Sequence, residues 1–244
     1  MPYRTLNPDK IIETAETLQR RISERFPGSG LSGVCRELVD VARASKQRIV
    51  AVSRPNWALR VGIALILILG IGLLGYVATI IEIKRGTENL FGVLEGIDAA
   101  VNTLVLTGAG IFFLATLERR WRRQRALADL HELRTLVHVI DMHQLTKDPS
   151  KVSDVSTNTP SSPKRLLTPF ELTRYLDYCS EMLSLCAKTA ALYPQATKDS
   201  LVDSVVSELE QLTANLSGKI WQKITIVQNM TRMDPPRSSK QNTP

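Results

Sequence analysis

Residues Val61 to Ile81 read VGIALILILGIGLLGYVATII, an uninterrupted apolar run that carries no charge. Such a run offers water no polar face, and as one helix it is long enough to cross the roughly 30 Å hydrocarbon core of a bilayer. A second charge-free run, Ala99 to Leu117 (AAVNTLVLTGAGIFFLATL), follows after a short connection. It too approaches the roughly 20 residues that a span needs. Together the runs predict a two-span transmembrane helical hairpin. The fold class expected is an all-α membrane protein whose N- and C-terminal helical segments form a bundle or coiled-coil-like domain on one side of the bilayer.

The side follows from Lys and Arg near the span ends, because these residues resist translocation far more than acids do. Lys46, Arg48, Arg54 and Arg60 precede the first span, and Arg119, Arg120, Arg122, Arg123 and Arg125 follow the second, while the connection holds only Lys84 and Arg85. Both termini are therefore expected in the cytoplasm, with the chain multi-pass in a cell plasma (inner) membrane of prokaryotic type. Trp57 and Trp121 fall at the two cytoplasmic boundaries, where an indole suits the zone between headgroup and hydrocarbon. With Arg60, Arg119, Arg120, Arg122, Arg123 and Arg125 they form the expected lipid-interface anchors. The first span begins too far along for a cleaved secretory signal, and neither end carries a lipidation motif, so both helices are expected to be retained.

These spans divide the chain. Residues 1–57 read as a cytoplasmic helix pair, 58–82 and 98–118 as the spans, and 83–97 as a short external connection. Residues 119–146 continue the second helix into the cytoplasm, 147–167 form a flexible linker, 168–230 a helical hairpin and 231–244 a polar tail. Asn7, Pro8 and Asp9 make a helix start, since Asn caps, Pro suits the first turn and an acid favours the positive end of the dipole. Ile11, Ala15, Leu18, Ile22 and Phe26 then step by three and four along one stripe until Pro27, Gly28 and Gly30 stop the helix. A second helix begins near Leu31 and carries Val34, Leu38, Val41, Ala42 and Ile49 toward the membrane, with a bend expected at Pro55. Thr168, Pro169 and Glu171 form a capping box for a helix running to about Tyr193, which Pro194 closes. Thr197 or Asp199 caps the last helix, where Leu201, Val205, Leu209, Leu212, Leu216, Ile220 and Val227 recur over nearly four heptads. Unpartnered stripes of this kind favour self-association.

The formal net charge of +7 over 244 residues is concentrated beside the spans, where topology and anionic headgroups account for it. Nucleic acid is accordingly an unlikely partner. The three cysteines, Cys35, Cys179 and Cys186, fit no zinc spacing and fall in segments assigned to a reducing compartment, so they read as small core residues. Neither a GxSxG elbow, a phosphate-binding loop nor a dinucleotide fingerprint occurs, and the chain reads as a non-enzyme without a cofactor. Asn215 and Asn229 open glycosylation sequons, but this topology keeps both in the cytoplasm.

Two groups of polar residues stand out. Glu95, Asp98 and Asn102 share a helix face at the outer mouth of the second span, with Thr103 and Thr107 farther in, and in an oligomer that face would line a pore. The plainer alternative places the acids at the interface and pairs Asn102 and the threonines with the neighbouring helix or their own backbone. All three histidines, His131, His138 and His143, fall in one stretch with Asp141. This candidate contact or pH-sensing face has no metal-ligand spacing, and the plainer reading is a run of ordinary polar helix residues. The expected function is a membrane-anchored cytoplasmic interaction, scaffold or sensor module, with a small oligomeric channel or membrane-perturbing effector as the alternative. The expected partners are the lipid bilayer, further copies of the chain and a cytoplasmic protein.

Overall fold

In a computed structural model, the structure describes residues 5–53, 57–84, 90–147 and 167–233. Among these residues every regular element is a helix: α1 (Pro8–Arg25), α2 (Gly30–Ser53), α3 (Trp57–Lys84), α4 (Leu90–Leu145), α5 (Pro169–Ala190), α6 (Leu192–Thr197) and α7 (Ser200–Met233). The chain divides into two compact units, one formed by Met1–Ala51 with Ala126–Pro244 and the other by Val52–Arg125. Helix α4 contributes its longer N-terminal part, residues 90–125, to the second unit and residues 126–145 to the first.

The first unit is a helical bundle. Helix α1 starts as the sequence predicts, with the Asn7 side chain accepting the Asp9 N–H at 2.9 Å and Pro8 in the first turn. Ile11, Ala15, Leu18, Ile22 and Phe26 are all buried, so the stripe is the core face. Gly28 adopts φ +68°, a left-handed conformation that costs glycine little, and Ser29 then caps α2 by accepting the Ser32 N–H. The Phe26 ring meets Tyr175 and Tyr178 of α5 edge-on, at 5.6 and 6.2 Å between centroids, which seats the α1–α2 corner on α5. Ion pairs tie the outer surfaces: Arg43 to Glu16 and Lys46 to Asp9 join α2 to α1, Arg21 to Glu181 joins α1 to α5, and Arg134 to Glu208 joins α4 to α7.

Two apolar clusters fill this unit. The larger takes Leu18, Ile22, Leu31 and Leu38 from α1 and α2, Val137 and Ile140 from α4, Leu176, Met182 and Leu183 from α5, and Ile220 and Ile224 from α7. The smaller gathers Val41, Leu130, Leu133, Tyr193, Val202 and Leu209. Cys35, Cys179 and Cys186 are free and buried in the larger cluster, as small hydrophobes. The stripes of α1 and α2 are thus largely covered within one chain.

Several boundaries differ from the sequence reading. The capping box at Thr168 and Glu171 is formed in both directions, but α5 ends at Ala190. Pro194 does not close that helix; it lies inside α6, within a first turn whose N–H groups need no intrahelical acceptor. Asp199, with its carboxylate accepting the Leu201 and Val202 N–H groups, caps α7, while the Thr197 hydroxyl donates back to Tyr193. Along α7 the buried line is Val202, Val206, Leu209, Thr213, Leu216, Ile220, Ile224 and Val227. Leu201 is 45% exposed, and Val205 and Leu212 are only partly buried. The register is therefore one position later at the helix start, and it admits a threonine whose hydroxyl donates to the Glu210 carbonyl. Helix α4 begins at Leu90, so part of the expected 83–97 connection is helical, and α7 extends to Met233. The bend at Pro55 and most of the linker and tail lie outside the described residues.

The second unit holds α3 and residues 90–125 of α4. Gly96–Phe113 is long and apolar enough to cross a membrane, and none of it is buried; Val61–Leu73 is a shorter apolar stretch. Ile68, Ile71, Leu104, Val105, Leu106, Phe112 and Phe113 are each more than half exposed.

Candidate functional site

Three sets of residues are candidates, and each is positioned by α4. On the apolar stretch of α4, Asp98 and Asn102 are one turn apart and both exposed. Thr103 and Thr107 are only partly exposed. Thr107 lies beside Gly70 of α3, where an added Cβ would meet its methyl carbon at 3.4 Å. The face read from the sequence therefore divides: Thr107 belongs to the α3 contact, where the small Gly70 permits close approach, while Asp98 and Asn102 stand uncovered. The Glu95 backbone is helical, and its side chain is outside the described residues.

At the end of that segment Arg125 lies 3.6 Å over the Trp121 ring, a cation–π contact. Trp57 is 70% exposed and Trp121 43%. Arg119, Arg120 and Arg125 are exposed, Arg122 and Arg123 are partly so, and the Arg60 side chain is not described. An aromatic ring, aliphatic stems and guanidinium heads in one short run suit a surface that is apolar on one side and anionic on the other.

Farther along α4 the histidine group separates. His131 and His138 are exposed and lie two turns apart on one face. His143 turns inward instead: its Cε1 lies where it would be 2.7 Å from a Cβ on Gly30, and its Nδ1 is 3.4 Å from the Tyr175 hydroxyl. Asp141 accepts a hydrogen bond from Gln144, whose carbonyl and side-chain oxygens in turn receive Lys223 of α7. The group thus splits between a solvent face and the α4–α5–α7 contact. Among the described residues no three His, Cys, Asp or Glu side chains are placed to hold a metal ion.

The third set was not legible as a site. Arg48 and Lys46 enter the sequence reading only as topology signals, yet Arg48 of α2 pairs with Asp129 at 3.0 Å and with Glu132 of α4. The Asp129 side chain is only 12% exposed, and Tyr193 and Ser45, both fully buried, lie next to it. Neither the Ser45 Oγ nor the Tyr193 hydroxyl makes a hydrogen bond of good geometry. Burial pushes the Asp129 carboxyl up despite Arg48, and burial pushes the Tyr193 phenol up as well. This polar knot joins α2, α4 and α6 inside the smaller apolar cluster. The one signal in the sequence is an acid between Leu127 and Leu130, on the stripe where an apolar residue is expected.

The fold and these residues define an all-helical protein with a bundle and a separate, uncovered apolar helical segment. No protein-family model matches the sequence, and no curated protein or solved structure matches it either.

Proposed function

We propose that the chain is a membrane-anchored interaction module: α3 and the first half of α4 form the bilayer hairpin, and the bundle built from α1, α2, the rest of α4, α5 and α7 presents a cytoplasmic surface to a protein partner. The observation that carries this reading is α4. One unbroken helix holds the uncovered apolar window Gly96–Phe113, then the Arg119 to Arg125 cluster with Trp121, then the buried residues Ala126, Leu130, Leu133, Val137 and Ile140. A span, an interfacial anchor and a packed core in that order are what a tethered bundle requires. The surplus of Lys and Arg on the bundle side of both runs supports a cytoplasmic location for both termini under the same proposal.

A second reading is favoured by Asp98 and Asn102. Exposed polar residues on an apolar helix are costly against lipid and are covered by other helices or by water in most membrane proteins. A further copy of the chain would cover them, and a ring of such copies would line a cation pathway. Reconstitution of the purified chain in planar bilayers, beside a variant with Asp98→Ala and Asn102→Leu, separates the two readings. A silent bilayer with both chains inserted supports the tethered module. Discrete currents that the double variant loses overturn it in favour of the channel.

A further inference from the structure

The bundle holds a cleft of about 860 Å³ between the start of α1, the middle of α5 and the last half of α7. Its walls are chiefly apolar: Leu6 and Ile11, Leu185 of α5, and Trp221 and Ile224 of α7. Trp221 is 60% exposed and Leu6 38%, so the cleft leaves a large indole uncovered, as Met142, Leu145 and Phe170 are elsewhere in the unit. A volume of this order, with most of its wall area apolar and nine polar or charged residues among the fourteen that line it, suits a small amphipathic molecule.

The charges at its rim specify the ligand further. Four ionisable side chains border the cleft, and three of them are already paired. Lys10 pairs with Glu13, Asp177 with Arg174 and Glu181 with Arg21. The fourth, Lys188, donates to the Ser184 hydroxyl and has no carboxylate within ion-pair distance among the described residues. A neutral hydroxyl leaves that ammonium's charge uncompensated, with two more donors to give.

We propose that this cleft binds an amphipathic monocarboxylate: an unbranched aliphatic chain against Ile11, Leu185, Ile224 and the Trp221 ring, with its carboxylate on Lys188. The site belongs to the bundle and does not depend on the reading of α3 and α4 as spans. Chain burial supplies the driving force, and the single uncompensated cation selects an anionic head over a neutral or cationic one.

The test uses the full purified chain with Trp57→Phe and Trp121→Phe, which leaves Trp221 as the one indole. Octanoate, octanol and octylammonium are titrated while Trp221 emission is followed. Expected is a saturable shift with octanoate at a concentration roughly threefold to tenfold lower than with octanol, and no saturation with octylammonium. Lys188→Met removes the preference for octanoate without weakening octanol, and Lys188→Arg restores it. Lys188 is exposed, so neither substitution disturbs the core. Absence of saturation with octanoate, equal binding of the three probes, or a preference that survives Lys188→Met overturns the proposal.

Discussion

Burial decides what individual side chains do in this bundle. Cys35, Cys179 and Cys186 are all fully buried, and burial pushes their thiols up to about 12. The thiolate is the reactive form, so at pH 8 none of the three is expected to react with iodoacetamide until the bundle unfolds. Mass spectrometry across a denaturant series checks this: labelling of all three should follow the unfolding transition, and early labelling of one would locate a local opening. Asp129 offers a second residue-scale test. Its carboxyl titrates at higher pH in the fold than in the unfolded chain, so the fold retains a proton that the unfolded chain has released. That contribution is present at low pH and is lost as the pH rises through the folded value. Asp129→Asn removes it, and the stability of wild type minus that of the variant should therefore fall with rising pH across the acid range, as read from denaturant midpoints. A difference that rises would show that Arg48 outweighs burial at this site.

Element boundaries are held by local hydrogen bonds that can be removed singly. In α5 the Thr168 hydroxyl accepts the Glu171 N–H, and the Glu171 carboxylate receives the Thr168 N–H at 2.8 Å. Thr168→Ala removes the hydroxyl's bonds with Glu171 and leaves only the backbone N–H on its carboxylate, and about 1 kcal/mol of stability should go with it, measured by thermal unfolding. Between α6 and α7, Lys198 adopts φ 50°, where a Cβ is disfavoured, and it is exposed. Lys198→Gly should stabilise by roughly 0.5–1 kcal/mol, the left-handed strain relieved being partly offset by the looser unfolded chain. The α1 stripe and this capping box were legible in the sequence because each rests on contacts within one turn. The α7 register was not. Leu201, Val205 and Leu212 follow a helical spacing as good as Val202, Val206 and Thr213, and only the packing of α5 and α6 against α7 selects the second set.

For the whole molecule, the central expectation is that the apolar window of α4 carries the attachment to lipid. Leu104→Arg with Leu106→Arg places two charges at the middle of Gly96–Phe113, at a cost of about 3 kcal/mol each for insertion. Alkaline-carbonate extraction of membranes should release a substantial fraction of that variant and leave the parent chain in the pellet. Release of the parent chain as well would overturn the tethered-module reading.

By itself the sequence determined the all-helical class, the apolar stretches, the starts of α1 and α5 and the core stripe of α1. Those properties arise from composition, period and hydrogen bonds between residues close along the chain. Tertiary structure decided the rest. It moved the core face of α7, carried His143 inward against Gly30 and Tyr175 while His131 and His138 stayed exposed, and joined Arg48 to Asp129 and Glu132 across 81 and 84 positions of sequence. It also formed the cleft that leaves Lys188 uncompensated. Contacts of this kind depend on which helix lies against which, and no local pattern encodes that choice: many apolar stripes are chemically interchangeable until burial makes one pairing exclude the others.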